Sequence, residues 1–171
     1  NIEIRGLLET DMAIGNSLVG MYANLGCFNI AQHVFDKLQV RDEVSWATLI
    51  SGFVEHGYAD MGLIYFKKMQ IEGVAPNAVT FIYGLKACGL IGALDTIKEL
   101  YIVIEREGLL EREINVGNTL VYAYAKCGCL LEACEVFNKL PIRNVVTWNT
   151  LIAGYVEQED GEQAIKCFED M

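Results

Sequence analysis

The chain says the same thing twice. From Asp42 it reads DEVSWATLISGFVE and from Asn144 it reads NVVTWNTLIAGYVE. MAIGNSLVGMYANLGC from Met12 returns as INVGNTLVYAYAKCGC from Ile114. Both offsets are 102 residues. Two different segments recurring at one spacing define a repeat array, in which each unit packs on its neighbours. A length of 171 residues suits one ordinary domain or a handful of short repeats. At 53% hydrophobic, the chain has enough apolar surface to offset the entropy of ordering, which excludes disorder.

The unit itself is helical. Trp46, Leu49, Ile50 and Phe53 fall at i, i+3, i+4 and i+7 and make one apolar face. Gly57 breaks the pattern, and Gly62, Phe66 and Met69 start a second stripe. Gly73 fits a helix C-terminal cap, Pro76 prevents continuation and Asn77 is placed to cap the next helix. Trp148, Leu151, Ile152 and Tyr155, then Ala164, Phe168 and Met171, repeat the two stripes. Ala31, Val34, Phe35 and Leu38 correspond to Ala133, Val136, Phe137 and Leu140. Gly26, Gly57, Gly92 and Gly128 share one turn position, where the last unit has Glu159, so a differently shaped turn is expected there.

These marks place units at 12–42, 43–77, 78–113, 114–144 and 145–171, the last incomplete, with 1–11 as the tail of a preceding unit. Their lengths are 31, 35, 36, 31 and 27 residues, and three consecutive complete units span the 102-residue offset. A hairpin this short cannot bury both stripes alone, so stacking must do it. The expected fold is all-α: a right-handed α-solenoid superhelix of stacked helix-turn-helix repeats, with one concave and one convex face. The chain begins at Asn1 and stops inside a helical pattern, which reads as a fragment of a longer protein.

Bulk chemistry narrows the function. No apolar run is long enough for a membrane span. A net charge of −10 argues against a generic nucleic-acid binder. The six cysteines include Cys127-Gly-Cys129 but no CxxC pair, and His33 and His56 lack paired ligands, so buried or turn thiols are expected rather than a metal site. No cofactor and no small-molecule substrate is expected.

The first helix also carries a polar face. Val44, Ala47, Thr48 and Ser51 lie off the stripe of Trp46, Leu49, Ile50 and Phe53, and stacking would join such faces into a groove. A short amide can both donate and accept there, and a β-branched valine offers a flat apolar surface. Asn16, Asn118 and Asn149 recur at one repeat position although a mid-turn asparagine is a poor helix former, which points to use.

The motifs V-x-W-N-T-L-I-x-G-Y (Val146–Tyr155), A-x-x-x-F-x-x-M (Ala164–Met171) and Y-A-K-C-G (Tyr124–Gly128), with the 31/35/36 alternation, resemble the plant pentatricopeptide repeat proteins of the PLS subclass. The units at Met12 and Ile114 look S-type, those at Glu43 and Val145 P-type and that at Ala78 L-type. The L-type unit departs most, with Ile97, Tyr101 and Gly84 off its pattern. The resemblance implies binding of single-stranded organellar RNA, one nucleotide per repeat. It implies base-edge contacts from the fifth and last residues of each repeat: Asn16 with Asp42, Ala47 with Asn77, Asn118 with Asn144, and Asn149. It implies packing of the second residue, Val44, Val79 or Val146, against the base. Asn16 with Asp42 should prefer U, Asn118 with Asn144 C or U, and Asn149 a pyrimidine. Ala47 cannot hydrogen-bond a base, and Ile82 with Glu113 should contribute little. Lys126, one turn beyond, is a candidate for phosphate or simply a solvated lysine.

Asp42, Asn77 and Asn144 also fit as plain helix N-caps, and the place of Trp46 and Trp148 on the apolar stripe makes them core. Glu132, Glu135, Glu157, Glu159, Asp160 and Glu162 are expected on second helices and turns, away from the groove. A protein-binding scaffold like tetratricopeptide arrays is the alternative, disfavoured by the unequal unit lengths. Neither histidine begins the H-x-E of a zinc deaminase, so no enzyme is expected in this stretch; a C-terminal extension could carry one. The resemblance further implies a mitochondrial or chloroplast setting, with the transit peptide outside this fragment, service to C-to-U RNA editing, and other editing factors as partners.

Overall fold

The computed structural model describes residues 12–171; the segment 1–11, read as the tail of a preceding unit, lies outside them. Among the described residues there is no strand. Helices come in pairs: α1 (Met12–Asn24) and α2 (Phe28–Lys37), α3 (Glu43–Glu55) and α4 (Ala59–Ile71), α5 (Ala78–Ile91) and α6 (Leu94–Arg106). The short α7 (Leu109–Arg112) precedes α8 (Ile114–Lys126) and α9 (Leu130–Lys139), then α10 (Val145–Glu157) and α11 (Gly161–Glu169). The chain divides into two compact units, with the boundary inside α5 between Gly84 and Leu85.

In the first unit the expected stripe is the core. Trp46, Leu49 and Ile50 are fully buried and Phe53 nearly so. The Trp46 indole meets Phe35 edge-to-face at 4.7 Å, and Phe53 stacks on Tyr65 at 5.3 Å. Gly62, Phe66 and Met69 are buried on α4. Gly84 leaves room for Phe66: a Cβ there would lie 3.0 Å from its ring.

The second unit repeats this arrangement. Phe137 meets Trp148 edge-to-face at 4.7 Å, and Ala133, Val136 and Leu140 are buried. Its last hairpin departs from expectation. Trp148, Ile152 and Tyr155 are only half-buried, and of the second stripe only Ala164 is covered. Phe168 is 65% and Met171 52% exposed. The same residue pattern is core in α3 and α4, where Phe81 of the following helix packs against Phe66 at 6.1 Å.

Consecutive first helices approach closely through small residues. A Cβ on Gly52 would lie 2.6 Å from the Cβ of Ala23, and one on Gly154 2.8 Å from that of Ala125. The segment 78–113 differs from its neighbours in carrying α7. Gly108, with φ of 61°, opens it, and Leu110 anchors it in the core.

The turn at Glu159 is the same turn as the others, not a different one. Gly26, Gly57, Gly92 and Gly128 have φ between 70° and 84°, and Glu159 has φ of 61°. The hydrogen bonds match as well. Gly57 N–H donates to Val54 O and Tyr58 N–H to Phe53 O, while Glu159 N–H donates to Val156 O and Asp160 N–H to Tyr155 O. Closing the helix this way satisfies its last carbonyls, and in the last hairpin this requires Glu159 to adopt left-handed backbone. An L-residue with a Cβ is strained there by about 1 kcal/mol. Glu159→Gly is therefore expected to stabilise the chain by about 0.5–1 kcal/mol, read as a higher midpoint in urea unfolding.

Candidate functional site

Each first helix begins with four backbone N–H groups that have no partner within the helix. Asp42 and Asn144 solve this for α3 and α10. The Asp42 carboxylate accepts from Ser45 N–H at 2.8 Å, and Asp42 N–H donates to the Ser45 hydroxyl at 3.3 Å. The Asn144 side-chain oxygen accepts from Thr147 N–H at 3.0 Å, and Asn144 N–H donates to the Thr147 hydroxyl at 3.1 Å. Both are reciprocal capping boxes, built with a hydroxyl in place of the usual Glu or Gln. Asn77 caps α5 likewise through Thr80, with its side-chain oxygen 3.0 Å from Thr80 N.

The structure draws the fifth-residue asparagines into these caps. Asn16 donates Nδ2–H to Asp42 Oδ1 at 3.3 Å, and the Ser45 hydroxyl lies 2.7 Å from both Asn16 Oδ1 and Asp42 Oδ1. Asn118 donates to Asn144 Oδ1 over a long 3.5 Å, and Thr147 Oγ1 donates to Asn118 Oδ1 at 2.6 Å. Asn16 is half-buried and Asn118 is only 5% exposed. Asn118 is thus sunk beneath Asn144, which is itself exposed. Ser45 and Thr147, fully buried, are the members sequence reasoning missed. Their signal was the repeated D-x-x-S and N-x-x-T spacing.

The other candidates stand as follows. Ala47 is half-buried with no polar group, and Asn77 turns to Glu43, donating to its Oε2 at 3.2 Å. Val44, Val79 and Val146 are 56%, 46% and 57% exposed, open to a ligand. In the second unit a shallow groove of about 340 Å³ lies between α8 and α10, lined by Tyr122, Lys126, Val146, Asn149, Ala153 and Glu157. Asn149 is exposed there. Ile82 is half-buried and Glu113 exposed.

Charge in the groove departs from expectation. Glu157 ends α10 and stands in the groove lining, where its carboxylate takes a 2.5 Å ion pair from Lys126. That hydrogen bond is the main reason the Lys126 ammonium is held above its ordinary range. In the first unit Tyr83 donates to Glu55 at 2.5 Å; burial first, then that bond and charge, pushes the phenol up to about 12. Among the described residues no group of three or more His, Cys, Asp or Glu is placed to hold a metal. Burial pushes the Cys127 thiol up, away from the thiolate a metal would need.

Paired helices closing on a shared left-handed turn, stacked through their first helices, define a helical-hairpin repeat protein. Family models for the PPR repeat family match residues 41–89 and 143–171, and one for the PPR repeat matches 118–145. A pentatricopeptide repeat-containing protein of Arabidopsis thaliana is 42% identical over 163 residues, 95% of this chain and 20% of its own length. A second, named as chloroplastic, is 35% identical over 169 residues, 92% of this chain and 19% of its own. The chain thus spans about a fifth of the length of these relatives. Among solved structures, the pentatricopeptide repeat protein PPR10 in complex with an 18-nt psaJ RNA element matches with a TM-score of 0.75 at 22% identity, over 94% of this chain and 24% of that one. The PPR domain of Arabidopsis thaliana protein-only RNase P 1, in complex with tRNA, matches with a TM-score of 0.67 at 14% identity, over 92% and 87%. The chain belongs to the pentatricopeptide repeat family, and its fold class is the all-α, stacked-hairpin solenoid of those structures.

The Asp42 cap has a pH signature. Burial opposes its charge, but the hydrogen bonds from the Ser45 backbone, the Ser45 hydroxyl and Asn16 outweigh it and hold the carboxyl below its ordinary value of 3.8. A depressed folded-state value means the stabilisation is present in full above 3.8 and is lost as pH falls through the lower folded value. Asp42→Asn keeps a cap, as Asn144 shows at the equivalent position. The variant is expected to match the parent within about 1 kcal/mol at neutral pH, and to lose less stability on acidification below pH 3.8, followed by circular dichroism melts.

Proposed function

We propose that this chain binds single-stranded RNA in a sequence-specific way, one base per repeat, as the recognition segment of an organellar RNA-processing factor, with C-to-U editing the favoured process. One observation carries the proposal: the same three-residue polar cluster is built twice, 102 residues apart, each time beside an exposed valine. The units are those at 12–42, 43–77, 78–113, 114–144 and 145–171, typed S, P, L, S and P as in the PLS subclass. Relatives named as chloroplastic, and structural neighbours solved with RNA, support the partner and the compartment. The editing chemistry would belong to other domains or to other editing factors.

The clusters differ in what they leave over. Once Asp42 Oδ1 is used by its cap, Oδ2 has no partner among the described residues, so an acceptor is left for a ligand. Uracil carries a matching N3–H. Once Asn144 Oδ1 is used, its Nδ2 remains, so a donor is left for a ligand on this exposed residue. Cytosine N3 is a matching acceptor. Val44 and Val146 lie two residues beyond the caps, exposed, to pack against the base. Ala47 beside a Glu43-bound Asn77, and Ile82 with Glu113, offer no such edge. The proposed preference is U, any, any, C or U, then a pyrimidine at Asn149, with RNA running 5′ to 3′ along the chain.

The acidic lining at Glu157 is the observation that favours the alternative, a protein-binding helical scaffold. Fluorescence anisotropy with labelled oligonucleotides separates the two. An RNA carrying U and C at the assigned places should bind about tenfold more tightly than one carrying purines there, within the 1–3 kcal/mol that a base contact contributes. Asn118→Ser should weaken that preference at its own register. No binding at any salt sinks the RNA assignment and promotes the scaffold.

The Lys126–Glu157 pair gives a second test. While paired, Lys126 is poorly placed to neutralise phosphate. Glu157→Gln is expected to tighten RNA binding and to steepen the salt dependence by about 0.7 in log–log slope, the value of one phosphate contact on a single strand. Folding stability should change by less than about 1 kcal/mol, as for other exposed ion pairs.

A further inference from the structure

We infer that Thr147 and Ser45 are positioning residues for base recognition, so that each reading site is completed by the third residue of the repeat that follows it. The inference rests on the RNA-binding assignment above and adds a residue class to it.

The logic is one of forced polarity. Thr147 N–H must find an acceptor, and Asn144 Oδ1 supplies it at 3.0 Å. That fixes Asn144 with its oxygen inward and its NH₂ outward. The atom of Asn118 that faces Asn144 Oδ1 must then be a donor, which is Nδ2. Asn118 Oδ1 is left pointing at the Thr147 hydroxyl, which donates to it at 2.6 Å, its shortest contact. The hydroxyl's lone pair takes Asn144 N–H at 3.1 Å. The polar atoms at the junction are paired in a consistent direction, with Asn144 Oδ1 accepting from Thr147 N–H and from Asn118 Nδ2 and lying 3.1 Å from the Thr147 hydroxyl, and the Asn144 NH₂ is left for a ligand. Ser45 does the same for Asn16 and Asp42. There the polarity is stricter still, because both oxygens of a carboxylate accept and Asn16 can only present Nδ2.

The third copy is an internal control. Thr80 holds the same position, but the preceding repeat has Ala47 in place of the asparagine. All three hydroxyls lie near the Oδ1 of their own cap, at 2.7, 3.3 and 3.1 Å for Ser45, Thr80 and Thr147, but with no amide to hold, the Thr80 hydroxyl turns to the Asn77 backbone oxygen at 2.9 Å. A hydroxyl needed only for capping would sit alike in all three repeats. In the two with an asparagine it reaches across to the amide.

Thr147→Val removes the hydroxyl and keeps the shape, while Asn144 still caps Thr147 N–H. In the full chain, single-nucleotide RNA variants are compared by anisotropy at two registers. The ratio of cytosine to purine affinity at the Asn118–Asn144 register should fall about fivefold, the worth of one hydrogen bond. The uracil preference at the Asn16–Asp42 register should hold, and Thr147→Ser should retain both. Ser45→Ala should give the reciprocal pattern and serves if Thr147→Val folds poorly. An RNA-free readout stands beside these: the side-chain amide of Asn118, followed by NMR, should lose exchange protection in Thr147→Val and keep it in Thr147→Ser. Unchanged protection, or an equal loss at both registers, overturns the positioning role and leaves only a cap. A parent chain with no base preference, but with the Asn118 amide released in Thr147→Val, overturns the RNA assignment instead.

Discussion

The distance between consecutive first helices governs everything else in this molecule. Glycine on one helix meets alanine on the previous one, at Gly52 with Ala23 and at Gly154 with Ala125. A larger side chain at either place would push the helices apart. The closeness lets a single buried stripe serve two neighbours, which a lone hairpin cannot do. It also brings the fifth residue of one repeat within hydrogen-bonding reach of the cap of the next. Asn16 meets Asp42 and Ser45, and Asn118 meets Asn144 and Thr147, only because the helices that carry them are packed this tightly.

The helix cap then has two roles in one residue. Orphan N–H groups at a helix start demand an acceptor, and meeting that demand uses one oxygen of Asp42 or Asn144. What is left over is decided by side-chain chemistry, an oxygen in one case and an NH₂ in the other. Under the proposed function, stability and base preference would be coupled at the same atoms. Asp42 and Asn144 are close to interchangeable as caps and opposite as hydrogen-bonding partners.

Electrostatics runs against the proposed partner and shapes how it would bind. The chain carries a net charge of −10, and Glu157 stands in the groove beside Lys126. Phosphate neutralisation, the usual main source of nucleic-acid affinity, is therefore muted. Under the proposed function, recognition would lean on base edges and on flat apolar contact from Val44 and Val146. Such a balance trades general affinity for discrimination.

The repeat period, the helical stripes, the shared glycine turn and the capping positions were legible in the sequence, because each is a local or periodic property. The Asn77 cap and the Gly73 terminator needed only their neighbours' identities. Tertiary structure alone decided the rest. Glu159 takes the left-handed turn because the helix end requires it, whatever residue stands there. Phe168 lies open while Phe66, at the matching place on its stripe, is buried, because burial depends on what packs over a stripe rather than on the stripe itself. Asn118 sinks below Asn144, and Glu157 enters the groove, because helix spacing sets which side chains meet across repeats. The contact of Asn16 with Asp42 joins residues 26 positions apart. No window of sequence short enough to read by periodicity contains it; it exists only when two helices pack.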